Sequence, residues 1–134
     1  MIWLIDKSAF VRLASSPDAP EWASRMQRGM VCISAITRLE VGSAAQSGAE
    51  LRDFMARPPF SVMPVENATP PMEGRAIEVQ VMLADKGLHR GPGASDLLVA
   101  ATAELAGLTL LHLDKEFELI AEVTGQPVER LRLA

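Results

Sequence analysis

Asp6 directly follows the apolar run Ile2–Ile5, and Asp114 directly follows Thr109–Leu113. Both runs are short and rich in β-forming residues, the pattern of strands buried on both faces of a parallel sheet. In open parallel sheets, ligands bind just outside the carboxyl ends of the strands. Both aspartates therefore stand where chemistry is done, although each alone also suits the capping of the helix that follows it. Asp96 opens a segment whose Leu97, Leu98, Val99, Ala100, Ala101, Ala103, Leu105 and Ala106 leave no polar face, which describes a central, buried helix. That helix feeds the strand ending at Asp114, so helix and strand run antiparallel and Asp96 comes level with Asp114. Ser95 is the expected cap, which leaves the Asp96 carboxylate in a sheltered place where a bare charge is costly. Glu40, with Ile36 and Ala44 at i−4 and i+4, poses the same problem. It lies ~9 Å along a straight helix from the amino end, so its helix must lean toward the other acids. Arginines such as Arg38 or Arg90 could neutralise such carboxylates. Four acids at one edge fit a hard divalent cation better, magnesium or manganese, both of which take oxygen ligands. Glu116 reads either as a fifth oxygen donor or as a first-turn acid on a solvated face.

The elements that must position these acids alternate along the chain. Ile2–Ile5 is followed by a turn and a helix over 9–14, and Glu21–Arg28 forms a second helix stopped by Gly29. Met30–Ile33 is the next strand, and Ser34 caps a helix running to about Gly48. A short helix over 50–57 ends at Pro58-Pro59, and Phe60–Val65 alternates like a strand near a sheet edge, where Pro64 is tolerated. Thr69-Pro70-Pro71 starts a helix that continues to about Lys86. After the Gly91-Pro92-Gly93 loop come the apolar helix over 95–106, the strand over 109–113, a helix over 116–124 and a last strand over 128–133. Such alternation predicts an α/β domain with a mainly parallel, roughly five-stranded sheet flanked by helices.

With 134 residues, 49% of them hydrophobic, the chain is expected to form a single domain over 1–134 with a substantial core. Its longest charge-free stretches, such as Leu105–Leu113, are far shorter than the ~18 residues a membrane span requires. An acid at position 6 is unlike a secretory signal, so a cytoplasmic location is expected. The lone cysteine, Cys32, can make no internal disulfide and reads as a core residue. The net charge of −4 argues at first against a nucleic-acid partner.

Four stretches resemble, in order and spacing, the motifs of PIN-domain ribonucleases, and among these most closely the VapC toxins. They are Leu4-Ile5-Asp6-Lys7-Ser8-Ala9, Ile36-Thr37-Arg38-Leu39-Glu40-Val41-Gly42, Ser95-Asp96-Leu97-Leu98-Val99-Ala100-Ala101-Thr102-Ala103 and Leu111-His112-Leu113-Asp114-Lys115-Glu116-Phe117. The resemblance implies a three-layer PIN-like sandwich and an acidic quartet of Asp6, Glu40, Asp96 and Asp114. It further implies a metal-dependent endoribonuclease leaving a 5′-phosphate, with a VapB-type antitoxin and a homodimeric state. Ser8 matches the family's small hydroxyl residue and, with Glu116, is a candidate for the metal's outer shell. Lys7, His112 and Glu116 depart from the usual pattern. His112 reads as a satisfied strand residue in preference to a ligand. Setting the quartet and Glu116 aside turns the net charge of −4 into +1, and Lys7, Arg38, Arg90 and Lys115 lie close enough in sequence to meet RNA phosphates. With 4 phenylalanines, 2 tryptophans and no tyrosine, a base-stacking platform is not expected.

Two other classes compete. A receiver-like signalling module wants a phosphoacceptor after its third strand and a lysine after its fifth, whereas Phe60–Val65 ends in Glu66-Asn67 and no lysine follows Leu133. A catalytically inactive PIN-like binding module would have no reason to keep four sheltered acids. Nucleotide-binding loops are excluded, because Gly91-Pro92-Gly93 lacks a third glycine and no strand precedes it.

Overall fold

In the computed structural model, which describes all 134 residues, five strands form one sheet in the order β3-β2-β1-β4-β5, every neighbouring pair parallel. They are β1 (Trp3–Ile5), β2 (Val31–Ser34), β3 (Val65–Glu66), β4 (Thr109–His112) and β5 (Val128–Arg130). The helices are α1 (Lys7–Phe10), α2 (Ala19–Gln27), α3 (Ala35–Gly42), α4 (Gly48–Ala56), α5 (Pro70–Asp85), α6 (Ala94–Ala106) and α7 (Lys115–Thr124). Successive strand residues point to opposite faces. Leu4 pairs with Cys32 and Leu110, and these three join a core with Val99, Leu83 and Phe117. Ile5 pairs with Ile33 and Leu111, which join Trp22, Met26 and Phe60 in a second core. Helix, sheet and helix thus form three layers, and the continuous apolar runs of the central strands reflect burial on both sides. The sheet order also overturns the receiver-like reading, whose fold places its third strand beside the first; here β4 occupies that position. No helix is long and apolar enough to cross a membrane.

Several boundaries differ from expectation. α1 begins at once after Asp6 and is short, with a 3-10 turn at Leu13–Ser15 completing the connection. α2 takes Pro20 into its first turn, where a missing amide costs nothing. α3 stops at Gly42, well before Gly48: the Ser43 hydroxyl donates to the Glu40 carbonyl at 2.7 Å, and Ser47 caps a separate α4 by accepting from the Glu50 amide. Phe60–Val65 is mostly not a strand. Phe60–Val62 is a 3-10 turn that plugs Phe60 into the core against Phe10 and Phe54, and only Val65–Glu66 pairs with β2. Apolar residues here anchor a loop, and their alternation mimics a strand.

Candidate active site

Asp6 is buried at the end of the central strand and caps α1. Its Oδ2 accepts from the Ser8 amide at 2.9 Å and the Ser8 hydroxyl at 2.7 Å. Its own amide donates to the Leu111 carbonyl, extending the pairing of β1 with β4. The Ser8 hydroxyl also accepts from the Leu113 amide at 2.9 Å, so one side chain ties the ends of both strands together. One residue on, Asp114 caps α7, its Oδ1 accepting from the Glu116 amide at 3.0 Å.

Asp96 lies in the first turn of α6, and its Oδ2 accepts from the Gly93 amide at 2.9 Å. Ser95 is therefore not the cap, contrary to expectation. The chain enters the helix at Gly93, and Ser95 instead donates from its hydroxyl to Glu40 Oε2 at 3.4 Å, linking α6 to α3. Burial pushes the Asp96 carboxyl above its ordinary value of 3.8, against the pull of the Gly93 amide, and the charges of Asp114, Asp6 and Glu40 push it further. The four acids thus share one edge of the sheet. None of them takes part in a salt bridge, so the arginine-paired alternative is not what the fold adopts.

In each quartet member one oxygen accepts hydrogen bonding from the chain and the other has no partner in it. No three acidic, histidine or cysteine side chains converge tightly enough to hold an ion as they stand, so the expected convergence is one of neighbourhood and not of ligating geometry. Like charges at a shared edge hold one another apart. An all-oxygen donor set with free oxygens, and a desolvated carboxylate whose nearest charges are all negative, fit the preferences of a hard divalent cation.

The remaining candidates scatter. Arg38 turns toward α4, its Nη2 lying 2.7 Å from Met55 Sδ, in an apolar groove with Leu39, Leu51 and Val65; it does not reach the quartet. Lys7 borders a separate groove with Phe10, Val41 and Phe54. Arg90 and Lys115 share a third groove with Glu116 and Glu118. These four bases make no single phosphate track. Glu116 is not on a solvated face: its Oε2 is buried without a partner against Gly91, where a Cβ would come within 2.5 Å of that oxygen. His112 is fully buried and only half satisfied, since its Nδ1 accepts from the Asp114 amide at 3.1 Å while its Nε2 has no partner. Burial lowers its pKa below 6.5, opposed by the negative charge of Glu118, so it is neutral near pH 7. The Ser95–Glu40 contact and the His112 acceptor went unread in the sequence. The adjacency of Ser95 to Asp96 was the one signal available for the first.

The PIN domain family model matches residues 3–123. The chain is 59% identical over 129 residues to ribonuclease VapC2 of Mycobacterium tuberculosis (strain CDC 1551 / Oshkosh), covering 96% of this chain and 92% of that protein. It is 36% identical over 127 residues to ribonuclease VapC21 of the same strain, covering 95% and 91%. Among solved structures, a DNA-bound VapBC from Salmonella typhimurium superposes with a TM-score of 0.74 at 23% identity, covering 97% of this chain and 98% of that one. VapBC2 from Rickettsia felis, bound to a promoter DNA fragment, gives 0.73 at 20% identity with the same coverage. At these identities the structural likeness is one of fold.

Proposed function

Because the chain belongs to the PIN-domain family, and within it to the VapC ribonucleases, we propose that residues 1–134 form one catalytic domain, a divalent-metal-dependent endoribonuclease acting as the toxin of a type II toxin–antitoxin pair. The observation that carries the site assignment is Asp96: desolvated, raised in pKa, and surrounded by Asp6, Glu40 and Asp114 with no cationic side chain to offset them. A magnesium or manganese ion bound there would supply positive charge that lowers the pKa of a water, making the nucleophile for a phosphodiester available near neutral pH, and that offsets charge building on the phosphate. The chain's own contribution is to hold the acids. Asp6 and Asp96 would offer their free oxygens as principal ligands, and Glu40 and Asp114 would complete the set directly or through water. Ser8 orients Asp6 by donating to its other oxygen. The reading includes RNA as substrate, a VapB-type antitoxin, a homodimer and action in the cytoplasm. Lys7 and Lys115, each next to a quartet acid in sequence, and Arg90, six residues before Asp96, are all exposed and are the bases left to meet phosphates.

Purified, antitoxin-free protein should cleave RNA with magnesium or manganese and stop in excess chelator. Full cleavage in chelator would sink the metal mechanism. Sequencing the RNA ends after brief induction would define the substrate.

A further inference from the structure

We infer that His112 is a positioning residue for Asp114, the acceptor that fixes the turn between β4 and α7; the inference rests on the quartet being the metal site. Three amides of that turn are each captured by a side chain: Leu113 by Ser8 Oγ at 2.9 Å, Asp114 by His112 Nδ1 at 3.1 Å, and Glu116 by Asp114 Oδ1 at 3.0 Å. Since the Ser8 hydroxyl gives its hydrogen to Asp6, one end of this set is anchored on Asp6 and the other sets the carboxylate of Asp114. His112 holds the middle.

The choice of imidazole is otherwise hard to account for. His112 is fully buried beside Leu110 and Leu111, with its ring 5.6 Å from that of Phe117. Because Nδ1 accepts, the ring proton sits on Nε2, where it meets no acceptor. A stranded buried donor is a cost that leucine in the same slot would avoid. What leucine cannot supply is the acceptor for the Asp114 amide. Groups that orient a metal's ligands in this way typically affect metal affinity by about 10–100-fold.

The test is manganese affinity by calorimetry, alongside melting temperature in chelator. His112→Asn places a carboxamide oxygen near the position of Nδ1 and should keep wild-type affinity. His112→Gln carries its oxygen near the position of Nε2 and should weaken manganese binding about tenfold or more, as should His112→Leu. If His112→Leu fails to fold, the contrast between Asn and Gln decides. Equal affinities for the Asn and Gln variants, or wild-type affinity in a folded Leu variant, would overturn the inference. Asp114→Asn in the same titration separates the two levels: if it binds manganese like wild type, the metal-site assignment has failed, whatever His112 does.

Discussion

Asp96→Asn keeps the shape of the side chain and removes one charge, and the two sides of that exchange can be weighed. The amide oxygen can still accept from Gly93, but a charge-assisted hydrogen bond becomes a neutral one, giving up about 1 kcal/mol. Against this, the variant escapes the burial of a carboxylate and its repulsion by Asp114, Asp6 and Glu40. The raised pKa means that burial and repulsion outweigh the Gly93 bond. Asp96 is only partly buried and solvent screens part of the effect, so the net gain is set at ~1 kcal/mol, the upper end for charge interactions open to solvent. In a chain of this size that is about 3–5 °C in melting temperature. The pH dependence has a definite sign. With the folded pKa above 3.8, protonation favours the wild-type fold fully below 3.8, and that favour is lost as pH rises through the folded pKa. The advantage of the variant is therefore complete at neutral pH and fades as pH falls toward 4. Magnesium at a hundred times its Kd adds about 2.7 kcal/mol to wild type by mass action and much less to the variant, reversing the order. Thermal melts at neutral pH in chelator and in magnesium read both halves. A variant that melts clearly below wild type in chelator would make Asp96 a stabilising helix cap and remove the centre of the site argument.

Asp6→Asn and Asp96→Asn should each lower RNA cleavage at least about 100-fold while remaining soluble, since loss of a ligand itself should exceed the roughly 10–100-fold typical of losing a group that only orients one; retained cleavage or retained toxicity on expression in both would move the site elsewhere. Ser8→Ala leaves Asp6 short of one donor and the Leu113 amide without its acceptor, so urea unfolding should show a loss of about 1–3 kcal/mol. Gly91→Ala drives a Cβ against Glu116 Oε2 and should destabilise by about 1 kcal/mol, a cost that disappears in a Glu116→Ala background; strict additivity in that double-mutant cycle would refute the contact.

Which parts of this were legible beforehand follows from the physics of each signal. The strands at Trp3–Ile5, Val31–Ser34 and Thr109–His112 were readable because strands buried on both faces carry unbroken apolar runs, and Asp6 and Asp114 because they end those runs. The apolar wrap of α6 brought Asp96 to the same edge in advance. Phe60–Val65 misled because alternating apolar residues serve a 3-10 turn as well as a strand. Ser95 misled because a cap is decided by where the backbone enters the helix, and Asp96 reaches back to Gly93 from inside it. Arg38 sits two residues from Glu40, about 200° apart around a helix, so proximity in sequence placed it on the wrong side. The stranded Nε2 of His112 depends on what surrounds β4 in three dimensions, which no local pattern encodes.

Both edge strands of the sheet are short: β3 has 2 residues, with Pro64 just ahead of it, and β5 has 3. An open ladder of that length offers a foreign strand almost no register to copy. Fibrillar stacking and domain exchange through the sheet are thereby discouraged, and a protein partner must gain its hold through side chains and helices instead of by lengthening the sheet.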